Sequence, residues 1–484
     1  MGDAEKGLLQ RLRERAEQEP GKRLFGGDEW LNTAQVLALT EQAAAYFRRE
    51  GLGGGAYVAL ACSNRALTAI ALLALRAAGA VVVLLDPRQP VQEALAHTET
   101  PIPVEAYIAQ AEDGTFRIDW LLRPGGGQTV LDLHKTGPVG EGSVLPSAHE
   151  PAFIIFTSGS TGKSKAVVLT EANLISNLVD AEPFGDYRQD DIALISLPFH
   201  HVFGMVLLLG TVILGYSACF TPRADVPGLL ATIQEQRITR MNGVPSLYLA
   251  MAERCGGYDL SSLRVGFVGG SPITPEQYAF AEARLGMTLI QAYGMSECAS
   301  ISIGSSLDPQ ELRLRGNGRF YPRTTWMIRR ADGSAAAPGE EGEILVNSPA
   351  RMLGYYGSPM PQEEMIRTGD LGYVDGDGIL HLTGRIKDIL IRNGNNLSPA
   401  RIEQALLALP GVRDAVVVGI ADDRQGEVPA AMVVADGEAR TLTPDLAKNE
   451  CPVLYAFVSR IPLTASGKPD RVLIRDMLSA RRRG

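Results

Sequence analysis

Short apolar runs alternate with segments of helical periodicity over roughly the first three hundred residues. Ala56–Ala61 and Ala80–Leu85 are apolar at nearly every position, and Ala66–Ala78 between them has the composition of a helix. Strands without alternating polarity are buried on both faces, which is typical of parallel sheets covered by helices. The pattern therefore predicts a large α/β region with right-handed crossovers. Further strands of this kind are expected at Phe153–Phe156, Ile192–Leu197, Val265–Val268 and Leu289–Gln291.

The pattern changes after residue 325. Between there and residue 385 the strands are short and alternate in polarity, and Asp332-Gly333 and Asp375-Gly376 are expected to form turns between them. This predicts a small antiparallel subdomain built from hairpins. After Gly384, a helix candidate at Ser398–Leu409 with proline near its start predicts a separate small α+β domain. Two strands are expected in that domain, at Ala415–Ile420 and Ala430–Val434.

One long stretch, Val202–Phe220, carries no charge and has the length of a membrane span. It is interrupted by Gly204, Gly210 and Gly215, and no basic cluster flanks it. Membrane spans usually carry such flanking charge. A core helix that runs into a buried strand is therefore the preferred interpretation.

Composition narrows the classes of function. The 484 residues include 46 Lys and Arg against 55 Asp and Glu, and the resulting charge of −9 argues against a nucleic-acid binder. The five cysteines are isolated and form no CxxC pair, so a structural zinc site is not expected. Unpaired cysteines fit a reducing compartment, and we expect a cytoplasmic protein.

The strongest local signal is Phe156–Lys165, with the sequence FTSGSTGKSK, directly after a predicted buried strand. Small residues let successive backbone N–H groups surround an anion, and Lys163 and Lys165 add positive charge. A Walker A loop is excluded because Thr157 stands where that motif requires glycine. A glycine- and serine-rich linker would not lie between two apolar strands, so we interpret the segment as a phosphate-binding loop.

Four further segments follow in order: Gln291–Glu297 (QAYGMSE), Thr368–Asp370 (TGD), Gly384–Asp388 (GRIKD) and Thr464–Arg471 (TASGKPDR). Each alone carries little information. Together with the phosphate-binding loop, and in this order, they resemble the signatures of the adenylate-forming (ANL) superfamily. That superfamily includes acyl-CoA synthetases, aryl-CoA ligases and the adenylation domains of peptide synthetases. The resemblance extends from about residue 30 to residue 471.

The resemblance implies an AMP-forming acid–thiol ligase that uses ATP and Mg²⁺. A carboxylate would attack the α-phosphate of ATP, pyrophosphate would leave, and a thiol would then take the acyl group from the adenylate. Coenzyme A is the expected thiol. The alternative is a free-standing adenylating enzyme that loads the phosphopantetheine of a carrier protein. A non-catalytic nucleotide-binding relative is disfavoured, because all the key polar residues are present.

The same resemblance assigns residue roles. Lys468, Thr161 and Glu297 would be catalytic, with Glu297 holding Mg²⁺ and Lys468 bridging the attacking carboxylate and the α-phosphate. Asp370 would accept the ribose hydroxyls, and Tyr293 would lie against the adenine. The implied ATP-binding residues are Thr157, Ser158, Gly159, Ser160, Thr161, Gly162, Lys165, Gly270, Ser271, Pro272, Ala292, Tyr293, Gly294, Met295, Ser296, Asp370, Arg385 and Lys468.

The acyl pocket is expected around Leu197–Gly204 (LPFHHVFG), which resembles the family's P-x-F-H-x-x-G segment with His200 in place of the usual Phe. The aspartate that pairs an α-ammonium group in amino-acid adenylation domains is missing here. A buried ammonium without a partner is costly, so a non-amino acid, fatty or aryl, is favoured. The implied substrate-binding residues are His201, Val244, Tyr248, Gly269 and Gly294.

The resemblance also divides the chain. Residues 1–384 would form the large domain with the ATP and acyl sites, 385–387 a hinge centred on Lys387, and 388–484 a small mobile domain. Gly394 would face the thiol channel. Glu171 departs from the family pattern, which usually has histidine there. The expected partners are the carboxylate, ATP and coenzyme A, with a carrier protein as the alternative acceptor, and neither nucleic acid nor a membrane span is expected.

Overall fold

The computed structural model of the chain describes residues 6–27, 29–96, 98–122, 126–135, 145–157, 164–221, 225–361, 364–435, 442, 444–463 and 469–483. The helices, numbered along the chain, are α1 (Leu8–Gln18), α2 (Thr33–Arg49), α3 (Ala66–Ala78), α4 (Val91–Ala96), α5 (Glu171–Ala181), α6 (Val202–Ile213), α7 (Val226–Gln236), α8 (Pro245–Arg254), α9 (Pro275–Leu285), α10 (Gln310–Arg315), α11 (Pro399–Leu407) and α12 (Arg471–Arg483).

The strands are numbered in the same way. In the first half of the chain they are β1 (Arg23–Gly26), β2 (Trp30–Asn32), β3 (Tyr57–Ala61), β4 (Val81–Leu85), β5 (Val104–Gln110), β6 (Phe116–Trp120), β7 (Gln128–Leu131), β8 (Pro151–Thr157), β9 (Lys165–Thr170), β10 (Ile192–Ile195), β11 (Ser217–Phe220) and β12 (Arg240–Gly243). They continue with β13 (Val265–Gly269), β14 (Thr288–Met295), β15 (Ala299–Ile303), β16 (Arg319–Phe320), β17 (Thr325–Arg329), β18 (Gly342–Asn347), β19 (Gly354–Tyr355), β20 (Ser358–Pro359), β21 (Ile366–Val374), β22 (Leu380–Arg385), β23 (Leu390–Arg392), β24 (Asn395–Leu397), β25 (Val412–Asp422), β26 (Gly426–Ala435) and β27 (Leu454–Phe457).

Two large mixed sheets make up most of the fold. One has the order β16-β15-β14-β13-β12-β10-β11-β1-β2, and the other has the order β20-β19-β9-β8-β4-β3-β5-β6-β7. Their central strands pair in parallel and are almost wholly buried, which confirms the prediction of parallel, helix-covered sheets. The predicted helix Ala66–Ala78 is α3. The strand predicted at Leu289–Gln291 is longer than expected, because β14 continues to Met295 as an antiparallel partner of β15.

An antiparallel sheet follows, as predicted for residues 325–385. It has the order β17-β18-β21-β22, and Gly333 takes a positive φ of 90° in one of its turns. A turn also lies at the predicted Asp375-Gly376 position, between β21 and β22. Asp375 Oδ1 accepts the backbone N–H groups of Asp377 and Ile379, and Gly378 has a positive φ of 76°.

The last part of the chain forms a small α+β unit. Its sheet has the order β24-β23-β26-β25, with β27 parallel to β26, and α11 and α12 pack on it. The predicted helix begins with Pro399 because Ser398 is its N-cap and accepts the backbone N–H of Arg401.

The long uncharged stretch is part of the core. Val202–Ile213 is the helix α6 and Ser217–Phe220 is the buried strand β11, as the sequence favoured. Within the described ranges, no helix combines the length and the apolar character that crossing a bilayer requires.

A buried ion pair ties three helices together. Arg76 on α3 and Glu171 at the start of α5 are 2% and 3% exposed, and Nε lies 3.0 Å from Oε1. The second carboxylate oxygen accepts the backbone N–H of Leu8 at the start of α1, at 2.7 Å. The departure from the family's histidine at position 171 therefore has a structural reason: Glu171 neutralises a buried guanidinium and caps the first helix.

Arg76→Met is expected to lower the free energy of unfolding by about 3–5 kcal/mol, because it leaves the buried Glu171 carboxylate without its cation. Adding Glu171→Met is expected to restore part of the loss, since the double variant buries no unpaired charge. Urea unfolding at pH 7 measures both effects. Arg117→Met is the control, because Arg117 is 52% exposed in its pair with Asp119. Strictly additive losses in the double variant would contradict the coupling.

Candidate active site

The two stems of the predicted phosphate-binding loop lie side by side. Thr157 at the end of β8 pairs with Lys165 at the start of β9 in an antiparallel register. The loop between them is not among the described residues, and neither is the predicted catalytic lysine. Their assignments stay predictions: Ser158, Gly159, Ser160, Thr161, Gly162 and Lys468.

Lys165 and Glu297 come from different sheets and contact the same tyrosine. The hydroxyl of Tyr355 on β19 donates to Oε1 of Glu297 at 2.8 Å, and Lys165 Nζ lies 4.8 Å from the centre of the Tyr355 ring. Glu297 is buried. Burial and the neighbouring Glu297 carboxylate raise the pKa of Tyr355, so its hydroxyl remains a donor. Sequence analysis missed Tyr355, since the GYY stretch at 354–356 carries no signal of its own.

The turn that carries Glu297 is tightly constrained. Met295 pairs with Ala299, so a three-residue loop joins β14 to β15, and Ala299 has a φ of 48°. Loops of this length commonly end in a residue with left-handed conformation. A Cβ on Gly294 would lie 2.0 Å from the carbonyl oxygen of Ala299, so this position accepts only glycine without a backbone shift. The geometry fixes where Glu297 leaves the sheet.

A second polar group lies at the same carboxyl end of β14, around Tyr293 two residues before the strand ends. The hydroxyl of Tyr293 donates to Asp370 Oδ2 at 2.7 Å, and Arg385 Nε lies 2.7 Å from Asp370 Oδ1. Asp370 and Arg385 are register partners on β21 and β22. Burial, and then the charge of Asp370, raise the pKa of Tyr293. The structure thus brings together three residues that the sequence predicted around the nucleoside, while their roles stay predictions.

The other predicted nucleotide residues lie where β13 and β14 end. Gly269 is the last residue of β13 and pairs with Ala292 on β14. Carboxyl ends of parallel strands are the usual place for ligands in open α/β sheets. The remaining members of the set lie on or just beyond these ends, and they are exposed or half-buried: Gly270, Ser271, Pro272, Gly294, Met295 and Ser296.

The residues predicted to line the acyl pocket differ in how far they are exposed. His201 and Val244 are half-buried and lie directly before α6 and α8, as the N-cap residues of those helices. Tyr248 differs from them. It is fully buried, with its hydroxyl 3.0 Å from the carbonyl oxygen of Met241 and 3.1 Å from that of Phe267, so it offers a substrate no surface and holds β12 to β13 instead.

The predicted hinge and thiol-channel residues lie on the surface. Lys387 is exposed in the short 3₁₀ helix Ile386–Asp388. Asn393 and Gly394 have φ values of 51° and 78° and form the two-residue loop between β23 and β24. Positive φ at both positions is the signature of a type I′ hairpin, which explains the glycine.

His200 lies in a polar cluster that sequence analysis did not assemble. It is 7% exposed, its Nδ1 has no hydrogen-bond partner in the described part of the chain, and its Nε2 lies 4.0 Å from Asp86 Oδ2. Arg88 donates to both oxygens of Asp86, and these hydrogen bonds lower the pKa of Asp86 to about 2. Burial, and then the neighbouring His201, lower the pKa of His200 to about 4. The sequence did contain one indication of this cluster, a carboxylate, Asp86, directly after the apolar run that forms β4.

Two family sequence models match the chain. The one described as AMP-binding enzyme covers residues 12–356, and the one described as AMP-binding enzyme C-terminal domain covers residues 401–468. A feruloyl-CoA synthase from Amycolatopsis is 33% identical over 91% of this chain and 93% of its own length. A 2-succinylbenzoate–CoA ligase from Bacillus licheniformis is 30% identical, over 94% and 97%. A sulfoacetate–CoA ligase from Cupriavidus necator is 29% identical, over 87% of each.

Solved structures share the fold. The o-succinylbenzoate CoA synthetase from Bacillus subtilis, in complex with its acyl-adenylate intermediate, superposes with a TM-score of 0.82 over 98% of both chains at 26% identity. ATP-bound MatB from Rhodopseudomonas palustris also gives a TM-score of 0.82, over 98% of this chain and 99% of its own, at 24% identity.

Asp370→Asn is expected to weaken ATP binding about ten- to hundredfold, because it removes a buried charged acceptor from the nucleoside end of the site. Calorimetric titration with ATP in the presence of Mg²⁺ measures the affinity. Asp377→Asn is the matched control, since Asp377 is 59% exposed. An unchanged affinity in Asp370→Asn would rule out the ribose assignment.

His200→Phe is expected to flatten the dependence of stability on pH. The folded protein holds the pKa of His200 at about 4, below an unfolded value of about 6.5, so acid favours the unfolded chain. Between pH 7 and pH 5 the wild type should lose about 2 kcal/mol through this residue, and the variant should not. Urea unfolding at the two pH values tests this, and an equal loss in both proteins would contradict it.

Proposed function

The chain belongs to the AMP-binding enzyme family, and on that premise we propose that it activates a small aryl carboxylate. It is an AMP-forming acid–CoA ligase, which uses ATP to convert a carboxylic acid to its adenylate and then passes the acyl group to coenzyme A. An aryl acid is favoured over a fatty acid because feruloyl-CoA synthase and 2-succinylbenzoate–CoA ligase, at 33% and 30% identity, are both named for aromatic acids.

One observation of the structure carries the proposal. A cation from β9, at the stem of the predicted phosphate loop, and a carboxylate from the turn after β14 are both held against Tyr355. Within the described residues, Glu297 Oε2 accepts no hydrogen bond, so one oxygen of a buried carboxylate remains for a metal ion. Magnesium at nucleotide sites takes one or two protein carboxylates and completes its shell with phosphates and water. Glu297 fits that requirement.

The residues divide the work of adenylate formation. Lys165 would attract the phosphates, and Glu297 would hold Mg²⁺, whose charge would stabilise the pyrophosphate leaving group. An oxygen of the substrate carboxylate forms a bond to the α-phosphorus as the bond to the β-phosphate oxygen breaks. Lys468 stabilises the charge that develops between the two reacting groups. Asp370, Tyr293 and Arg385 hold the nucleoside.

The second half-reaction needs a different arrangement of the small domain. The thiol of coenzyme A loses its proton and attacks the acyl carbon, and AMP leaves. We place the hinge at residues 385–387, between a large domain 1–384 and a small domain 388–484. Support comes from the short exposed link after β22. Two of the hydrogen bonds between the proposed domains are made by exposed or half-buried side chains: Ser398 Oγ donates to the carbonyl oxygen of Thr383 at 3.0 Å, and Gln277 Nε2 donates to that of Arg413 at 3.1 Å. Gly394 would reach the thiol channel after the hinge moves.

A cytoplasmic location completes the proposal. The chain's five cysteines are unpaired, and four of them are buried. Thiols of this kind persist in reducing compartments.

The experiment is pyrophosphate exchange with a panel of acids, followed by thioester formation with coenzyme A or with a carrier protein. Ferulate, 2-succinylbenzoate, benzoate, decanoate and phenylalanine cover the competing classes. We expect the aryl acids to give rates at least tenfold above the others, and coenzyme A to accept the product. Fastest exchange with decanoate or phenylalanine would overturn the aryl proposal, and transfer to the carrier alone would overturn the acceptor.

Lys468→Ala is expected to slow adenylate formation roughly a hundredfold or more, while thioester formation from supplied acyl-adenylate stays near the wild-type rate. The reason is that the proposed role of the lysine is to stabilise the transition state of the first half-reaction and not that of the second. Lys448→Ala, at an exposed position of the same domain, is the control. Parallel losses in both half-reactions would mean that Lys468 acts through structure.

A further inference from the structure

Tyr355 occupies a fixed place between two sheets. It pairs with Val167 of β9 across an antiparallel ladder, and Lys165 is two residues from Val167 on the same strand. Diagonal neighbours of this kind share a face of the sheet and lie within reach of an aromatic side chain. The backbone on either side is held as well, since the N–H groups of Leu353 and Tyr356 donate to carbonyl oxygens of β9.

The two ends of the Tyr355 side chain contact opposite charges. Its ring carries the Lys165 ammonium, a favourable arrangement for a cation on an aromatic face. Its hydroxyl holds Glu297 Oε1. In the described part of the chain, Lys165 and Glu297 form no direct ion pair within 4.0 Å. A direct pair would occupy both the cation meant for phosphate and the carboxylate meant for Mg²⁺.

We propose that Tyr355 is a positioning residue that keeps Lys165 and Glu297 apart and so keeps both available to the magnesium-bound triphosphate of ATP. This rests on the proposed function, because it takes ATP and Mg²⁺ as the ligands. The hydroxyl orients the carboxylate with Oε2 open to the metal. The ring holds the ammonium on the side of the phosphate-loop stem. Removing the hydroxyl and removing the ring therefore have separable consequences.

Two substitutions separate these effects. Tyr355→Phe keeps the ring and loses the hydroxyl, whereas Tyr355→Leu loses both. The neighbouring Tyr356 is the matched control, because it points to the other face and packs edge-on against Tyr57 at 5.5 Å. Tyr356→Phe removes a hydroxyl from the same short segment without touching either charge.

The measurement is ATP affinity by calorimetry, once with Mg²⁺ and once with EDTA. Tyr355→Phe should reduce the gain in affinity that Mg²⁺ gives by about fivefold or more and leave the affinity in EDTA unchanged. Tyr355→Leu should weaken ATP in both conditions, and Tyr356→Phe should match the wild type. A wild-type magnesium effect in Tyr355→Phe would overturn the proposal, as would an equal loss in Tyr356→Phe.

A double variant tests whether the effect of Tyr355→Phe arises through Glu297 or through a general change of structure. If Tyr355 acts through Glu297, then in a Glu297→Gln background Tyr355→Phe should cause no further loss of the magnesium effect. An additive further loss would overturn the assignment. The thermal midpoint of each variant is measured alongside, and the positioning role requires loss of the magnesium effect in protein that melts as the wild type does.

Failure of this proposal is distinguishable from failure of the proposed function. If the wild type binds magnesium–ATP but no acid of the panel supports pyrophosphate exchange, the proposed ligase function is wrong. The binding titrations then still decide the role of Tyr355. If the aryl acids support exchange but Tyr355→Phe binds magnesium–ATP as the wild type does, only the proposed role of Tyr355 is wrong.

Discussion

A site for a magnesium-bound polyanion must hold opposite charges close together without letting them neutralise one another. The two ends of the proposed site meet that constraint differently. At the phosphate end, Tyr355 lies between Lys165 and Glu297, so each retains an unengaged face. At the nucleoside end, Asp370 and Arg385 pair directly, and Tyr293 occupies the second carboxylate oxygen. Charge is thus kept available where phosphate and metal would bind and is compensated where neutral hydroxyls would bind.

The strand that carries Lys165 is anchored at both ends. Its first residue lies against Tyr355, and the residue after its last, Glu171, forms the buried pair with Arg76 and caps α1. These contacts add to the antiparallel pairing that holds β9 against β8 along its length. The contact that replaces the family's usual histidine therefore bears on the site, although Glu171 lies on the opposite end of the strand from the phosphate loop.

Much of the fold and part of the site could be predicted from sequence, because the signals are local. Uninterrupted apolar runs marked β3, β4 and β8, and α3 has the predicted bounds. The polar cluster of His200 and Asp86 and the bridging role of Tyr355 depend on contacts between chain segments far apart in sequence, for which a single sequence has no periodicity or motif. Tyr248 illustrates the opposite error, in which a residue was predicted to bind substrate but is buried. The sequence does not distinguish a tyrosine hydroxyl that faces a ligand from one that donates to two backbone carbonyl oxygens, as Tyr248 does.

The lack of space for a side chain at Gly294 limits which substitutions this enzyme can accept near the site. Any side chain there meets the carbonyl oxygen of Ala299, and the same holds for Gly269 against Ala292, so the strand ends on the nucleotide side have almost no freedom to drift. His201 and Val244 instead precede separate helices and are only half-buried. In the proposed site, changes of acid specificity would therefore be expected at these two helix starts, and the strand ends beside the nucleotide would be expected to stay constant.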